Sequence, residues 1–320
     1  MEVIQVDLES EIHREATIAL GNFDGIHKGH QALIKGVVDM AKKLHCPSSV
    51  LMFTTHTKNT TEGISQELLT SGSQKHDILH SLGIDIIYEI DFTDEIMHMS
   101  PEAFVTKFLV KHLKAKGIVV GYDYRFGYKA TGTVSTLKSL CDLNGIALSV
   151  KEAVRYGGEI VSSTRIREAV KEGDVELAQS LLMRPFTIRG TVVAGKQLGR
   201  TIGIPTANIL YDVHYVIPKF GVYLTGVTVD EKFYYGATNI GTNPTFSEQE
   251  IKVETYLYDY HGESLYGKTM DVALLEFIRP EMTFKDVEAL KDRMSDDLEM
   301  IRQQILKDEF TNKQKNGRIL

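Results

Sequence analysis

The sharpest chemistry in the chain sits in His27-Lys28-Gly29-His30, which follows a short apolar run and a glycine-bearing loop and opens a helical stretch. A helix start presents free backbone amides and the positive end of the helix dipole, so it favours anions. Gly29 lets a phosphate chain come close to the backbone. The two imidazoles can donate to its oxygens as negative charge develops during transfer. The four letters alone fit a pair of surface histidines as well; the strand-loop-helix setting favours the phosphate reading. A second cluster, Ser162-Ser163-Thr164-Arg165-Ile166-Arg167, opens another helix. Its hydroxyls, amides and guanidiniums suit the β and γ phosphates of ATP. Alone it is more often a capped helix with solvated arginines; beside the histidine motif it reads as the other jaw of a nucleotide clamp.

The second half carries the string Gly195-Lys196-Gln197-Leu198-Gly199-Arg200-Thr201-Ile202-Gly203-Ile204-Pro205-Thr206-Ala207-Asn208. Glycines such as Gly195 and Gly199 permit tight turns and close approach to phosphates, and Arg200 adds a cation among them. Thr206 offers a hydroxyl of the type that ligates magnesium, and Asn208 a carbonyl that orients the ion or its waters. A structural turn is the alternative. Farther on, Glu254 shares a strand face with Tyr256 and Tyr258. A carboxylate there can take the proton of a hydroxyl attacking a γ-phosphate. On position alone it reads first as an ordinary exposed strand glutamate.

These groups need scaffolds, and the two halves read differently. In the first, strands over Thr17–Leu20, Ser49–Phe53, Asp85–Ile90, Gly117–Gly121 and Ile146–Val150 alternate with helices over Gly29–Leu44, Lys75–Leu82, Ser100–Lys114 and Val134–Leu143. That alternation predicts a parallel sheet with helices on both faces, a Rossmann-like α/β domain. Near Arg184-Pro185 the pattern changes. Phe186–Val193, Val222–Val229, Lys232–Thr238, Lys252–Tyr260 and Met270–Ile278 read as strands, with Asp230-Glu231 as a hairpin turn. They predict a compact antiparallel β-barrel, closed by an acidic helix over about 284–307 and followed by a frayed tail. The expected domains are 1–183 and 184–310, with 311–320 as the tail.

Taken together the motifs resemble one family. Gly21-Asn22-Phe23-Asp24-Gly25 leading into HKGH, then Gly121-Tyr122-Asp123-Tyr124-Arg125-Phe126-Gly127, then SSTRIR, look like the adenylyltransferase module of bacterial bifunctional riboflavin kinase/FAD synthetases. The GRTIGIPTAN string, Gly221-Val222-Tyr223, Asn239-Ile240-Gly241-Thr242-Asn243-Pro244-Thr245-Phe246, Val253-Glu254-Thr255-Tyr256 and Phe277-Ile278-Arg279-Pro280-Glu281 resemble its kinase module. The resemblance implies a nucleotidylyltransferase fold whose ATP site comprises Gly21, Phe23, Asp24, Gly25, His27, His30, Asp123, Ser163, Thr164 and Arg167. His27, His30 and Arg167 would be catalytic there, with Phe126 on the flavin side. It implies a kinase ATP site from Gly195, Gly199, Arg200, Thr206 and Asn208, the last two holding Mg2+. Glu254 would be the base, with Glu254 and Arg279 beside the flavin. Riboflavin, FMN, FAD and ATP are the implied substrates and products. Two departures stand out. Phe53-Thr54-Thr55-His56-Thr57 replaces the family's Phe-x-Pro-His-Pro, which predicts a less rigid loop. Met183 stands where the family often has glycine. Loss of one activity, a flavin-binding regulator and an RNA-directed protein remain as alternatives; the last would want a KMSKS-like loop, and the nearest string, Lys291-Asp292-Arg293-Met294-Ser295, lies in an acidic helical stretch.

The bulk numbers bound these readings. With 320 residues, 42% hydrophobic and 25% charged, the chain has room for about two ordinary domains. A net charge of -7 argues against nucleic acid as the main partner. Two cysteines, Cys46 and Cys141, match no disulfide framework or metal motif. The charged N-terminus lacks a signal-peptide core, and no apolar run reaches the roughly 18 residues a membrane helix needs. The expectation is a cytoplasmic protein, a monomer or weak homo-oligomer, serving small-molecule substrates.

Overall fold

The computed structural model describes residues 1–54, 66–195, 203–242 and 251–316, with side chains through 307. The chain divides into two compact units: Met1–Ile166 with Leu181–Met183, and Arg167–Ser180 with Arg184–Leu320.

The first unit is built on six parallel strands: β1 (Glu2–Val6), β2 (Ala16–Leu20), β3 (Ser48–Phe53), β4 (Ile86–Ile90), β5 (Ala115–Gly121) and β6 (Ala147–Lys151). Their order is β1-β4-β3-β2-β5-β6. The central strands are apolar on both faces because both are covered; every residue of β2 is buried. One covering helix, α1 (Lys28–Leu44), buries Leu33, Ile34, Val37 and Ala41, the i, i+1, i+4 and i+8 positions of an amphipathic stripe. It follows β2 and leads outward to β3, while β5 flanks β2 on the other side. The strand order therefore reverses between β2 and β5, and the loops leaving their carboxyl ends line a crevice.

Several elements differ from the sequence expectation, among them β1 and the helix from Ser100. β1 lies in the charged N-terminal stretch; as an edge strand it keeps Glu2, Val3 and Gln5 exposed and buries Val6, so it lacks the apolar run of an inner strand. The helix expected from Ser100 opens with Ser100 Oγ accepting from the Ala103 amide, but over Phe104–His112 it widens to π turns. The five-residue step from Phe108 to Leu113, whose amide donates to the Phe108 carbonyl at 3.0 Å, puts both side chains in the core. Further helices are α2 (Gly72–Ser81) and α3 (Val134–Asn144), then α4 (Ser163–Glu172) and α5 (Val175–Leu182), of which Arg167–Ser180 belong to the second unit. A hairpin of β7 (Arg155–Tyr156) and β8 (Glu159–Ile160) precedes α4.

The second unit is a closed antiparallel barrel of β9 (Phe186–Val193), β10 (Ala207–Leu210), β11 (Gly221–Val229), β12 (Lys232–Thr242), β13 (Ile251–Leu257) and β14 (Thr269–Pro280), in the order β10-β13-β12-β11-β14-β9. Asp230 and Glu231 both take left-handed φ, at 49° and 61°, the geometry of a two-residue hairpin whose twist matches its strands. β10 occupies the stretch read as part of a phosphate loop, so the Thr206-Ala207-Asn208 end of that motif enters the sheet. The barrel interior is partly polar: the buried hydroxyls of Thr225, Thr238 and Thr255 form a chain with spacings of 2.8 and 2.9 Å. Each satisfies its neighbour, which removes the cost of burying an unpaired hydroxyl.

Part of the outer wall, including Val222, Leu224, Tyr235, Ala237, Tyr256 and Ile278, is covered by Leu298, Ile301 and Ile305 of the terminal helix α6 (Val287–Asn316). The helix continues through Asn316, past the point where the sequence reading had it fray, because 308–316 hold no glycine or proline to stop it. Among the described residues no helix is long and apolar enough to cross a membrane.

Candidate active sites

In the first unit the β2–α1 loop carries the histidine motif in an unusual backbone path. Phe23, Gly25 and Ile26 all have left-handed φ, at 48°, 81° and 39°. Two of these are ordinary residues, and such strained positions persist only where surrounding contacts fix them. Those contacts are visible. Buried Asp24 accepts from the Leu69 amide at 3.0 Å, the Gly25 amide donates to Thr70 Oγ1 at 3.1 Å, and Ser163 Oγ donates to the Asp24 carbonyl at 3.0 Å. Phe23 is fully buried, 3.3 Å from where a Gly21 side chain would start.

His27 caps α1. Its Nδ1 accepts from the His30 amide at 3.3 Å, which leaves Nε2 to carry the ring proton when the imidazole is neutral. The rings of His27 and His30 stack at 3.7 Å with 15° between planes. A side chain on Gly29 would begin 3.1 Å from the His27 ring, so glycine is what lets the first imidazole fold over the helix start. His30 Nδ1 is buried without a hydrogen-bond partner. Burial foremost, then the neighbouring His27 and Lys75, hold the His30 imidazole well below its ordinary 6.5. Burial likewise lowers the Lys75 ammonium, against the pull of Asp24 and then Glu89. An anion arriving at α1 would thus meet free amides, two stacked imidazoles and a nearby lysine.

The SSTRIR segment does open a helix. Ser162 Oγ accepts from the Arg165 amide at 3.3 Å as the cap of α4, and its first turn reaches the β2–α1 loop through Ser163. Thr164 is exposed and Arg167 is buried farther along the same helix. Asp123 is exposed in the loop leaving β5, on the other side of the crevice. Phe126 is placed differently from an open flavin contact: it is 6% exposed, packed between Phe104 and Tyr124, with its ring 2.8 Å from where a Gly132 side chain would begin.

In the second unit strand register builds the site. Asn208 on β10 pairs with Glu254 on β13, and Glu254 pairs with Asn239 on β12. Directly opposed residues of antiparallel strands share a face, so the three polar side chains form one row. Glu254 alternates with buried Val253 and Thr255, which puts the row on the outer wall of the barrel. Gly195 lies against Asn208: a side chain there would begin 2.3 to 2.6 Å from all three amide atoms, so only glycine leaves room for this side chain. Thr206, half-buried, immediately precedes β10.

At the end of β14, Arg279 is locked to buried Asp297 of α6, with Nε and Nη2 donating at 2.6 to 3.0 Å. Arg293 of α6 binds the same carboxylate at 3.0 Å. Gly199, Arg200, Asn243-Pro244-Thr245-Phe246 and Thr55-His56-Thr57 lie outside the described residues.

Sequence reasoning missed several partners of these groups. Lys75, Leu69 and Thr70 meet the β2–α1 loop from α2 and its approach. Their one local signal is the Ser71–Gln74 capping box, which marks a helix start and not a destination. Asp297 is one acid among many on α6, and only packing singles it out.

The comparisons agree with this architecture. Residues 9–165 match the FAD synthetase family profile and residues 182–305 the riboflavin kinase profile. The bifunctional riboflavin kinase/FMN adenylyltransferase of Listeria monocytogenes is 37% identical over 283 residues, covering 88% of this chain and 89% of that protein. The protein of the same description from Bacillus subtilis is 32% identical over 296 residues, covering 91% and 92%. A crystal structure described as a macrolide-efflux protein from Streptococcus pneumoniae superposes with a TM-score of 0.86 at 31% identity, covering 94% of this chain and 98% of that one. The chain belongs to the bifunctional riboflavin kinase/FMN adenylyltransferase family.

Proposed function

We propose that this chain makes FMN and FAD in two steps. In the second unit riboflavin and ATP give FMN and ADP; in the first, FMN and ATP give FAD and pyrophosphate. The proposed domain division is 1–183 for adenylyl transfer and 184–310 for the kinase, with 311–320 as a tail. The observation that carries the reading is that both sets of polar side chains are assembled on one chain belonging to this family. Stacked His27 and His30 lie at the sheet's crevice, and Asn208 and Glu254 are paired across adjoining strands.

For adenylyl transfer, the α1 amides with His27 and His30 receive the triphosphate, and Ser163, Thr164 and Arg167 of the SSTRIR motif assist, as the family resemblance implies. Asp24 and Gly25 hold the loop in shape, Gly21 and Phe23 set its entry, and Asp123 faces the nucleotide from the β5 end. Phe126 supports that end from the core. For the kinase, Glu254 takes the proton of the ribityl hydroxyl as it attacks the γ-phosphate. Gly195, Gly199 and Arg200 cradle the phosphates, and Arg279, oriented by Asp297, borders the flavin. Thr206 and Asn208 supply hard oxygen donors, and the close fit of Asn208 against Gly195 fixes one of them, so this set suits magnesium. When bound, the ion would neutralise phosphate charge. We assign the protein to the cytoplasm, as a monomer or weak homo-oligomer acting on small molecules without nucleic acid.

The test is chromatography of flavins after incubation with riboflavin, ATP and magnesium. FMN followed by FAD is the expected result. FAD from supplied FMN but no FMN from riboflavin would remove the kinase assignment, and FMN alone would remove the adenylyltransferase. No conversion of either flavin would overturn the reading.

A further inference from the structure

Lys28, the second residue of the histidine motif, sits at the first helical position of α1 with its ammonium 5.0 Å from the centroid of the Tyr156 ring. Tyr156 belongs to the short β7–β8 hairpin, whose turn residues Gly157 and Gly158 both take left-handed φ, at 62° and 85°. Arg165 bolts this hairpin to the first turn of α4. Its Nη1 donates to the Tyr156 carbonyl at 3.0 Å and the Glu159 carbonyl at 3.5 Å, and its Nε meets the Glu159 carboxylate at 3.3 Å. The same turn of α4 is tied to the β2–α1 loop by Ser163, and the Val161 carbonyl lies 3.9 Å from where a Gly29 side chain would begin. Hairpin, α4 start and α1 start are therefore one connected assembly around the histidine pair. Nothing in the phosphate roles above uses its one aromatic–cation contact.

We propose that Lys28 is a further phosphate-binding residue of the adenylyl-transfer site and that Tyr156 is its positioning residue. This rests on the reading that the first unit makes FAD. In that reaction a phosphate oxygen of FMN bonds to the α-phosphorus of ATP. The bond from that phosphorus to the oxygen bridging the α and β phosphates breaks, and pyrophosphate leaves with the electron pair. Negative charge grows on the leaving group beside the start of α1, where an ammonium stabilises it. Without nucleotide, the ammonium rests on the ring face, a contact weaker than one to a phosphate in a partly buried site. Lys28 can therefore leave the ring for the ligand, and the ring keeps it from spending its time extended into water.

The experiment measures steady-state FAD formation from FMN and ATP by the full chain, with riboflavin phosphorylation in the same preparations as the check on folding. Lys28→Ala is expected to lower kcat/KM for ATP by about 10- to 100-fold, with KM for FMN unchanged, and Lys28→Arg to recover most of it. Tyr156→Leu should cost about 2- to 5-fold, whereas Tyr156→Phe, which keeps the ring face, should match the parent. An unchanged kcat/KM for ATP in Lys28→Ala overturns the lysine's role. Tyr156→Phe as impaired as Tyr156→Leu, or neither impaired, overturns the ring's. Both are results on an active parent, and so differ from a parent that forms no FAD, which overturns the function reading and this inference with it.

Discussion

The two units hold phosphate-handling groups in opposite ways. In the first, the groups stand on loops at the carboxyl ends of parallel strands, and each loop needs bracing from distant segments: Asp24 is held from Leu69 and Ser163, and Gly25 from Thr70. In the second, the groups stand on the sides of antiparallel strands, where the ladder itself spaces Asn208, Glu254 and Asn239. A loop site gains freedom to wrap a ligand and stores backbone strain in doing so. A strand site gains fixed spacing without strain and depends on register, since a one-residue slip would turn the whole row inward.

That contrast is open to attack from the chemistry first. Glu254→Gln keeps the shape and removes the base, so FMN formation should fall about 10²- to 10⁴-fold, while FAD formation from supplied FMN persists; flavin chromatography reads both. His27→Ala should do the reverse, lowering FAD formation about 10²- to 10³-fold and sparing FMN. Equal loss of both activities from either substitution would mean that the units do not work separately.

Stability sharpens the contrast next. Asp297→Ala leaves Arg279 and Arg293 facing each other without their shared carboxylate, and should cost the second unit about 3–5 kcal/mol, read by chemical denaturation. The first unit should be the more acid-sensitive. His30 is held below its ordinary 6.5 when folded, so the unfolded chain binds more protons as pH falls. Stability should therefore decline as pH drops below about 6.5, and His30→Asn should flatten that decline in thermal melts. The smallest effect concerns Met183, at the start of the riboflavin kinase match. Met183 has a φ of +61°, a conformation that costs an ordinary residue about 1–2 kcal/mol. Met183→Gly relieves that but frees the unfolded chain by about as much, so its melting temperature should stay close to the parent's.

Much of this was legible in the sequence because it is local. The period-2 and helical patterns located most of the strands and helices, and the motif letters singled out His27, His30, Ser163, Asn208 and Glu254 as candidates. Asp230-Glu231 was read as a turn and is one. What was not legible was set by partners distant in sequence. β1 was not picked out as a strand because an edge strand need not be apolar. The π turns of 104–112 follow from which side chains the core accepts, which periodicity does not encode. Phe126, which the resemblance places on the flavin side, packs into the core, and Arg279, which it places beside the flavin, is tied to buried Asp297.

The amino-acid order by itself determined the kinds of element, the change from alternating helices and strands to a barrel, and which side chains are chemically able to handle phosphate. These follow from periodicity, turn residues and functional groups, all properties of neighbouring residues. Only the tertiary structure decided that the two imidazoles stack, that Asn208 and Glu254 adjoin, that Lys75 bears on His30 and that Tyr156 covers Lys28. Each of those depends on strand order, register and helix docking, which bring together residues between 3 and about 130 positions apart, and a linear reading has no measure of such distances.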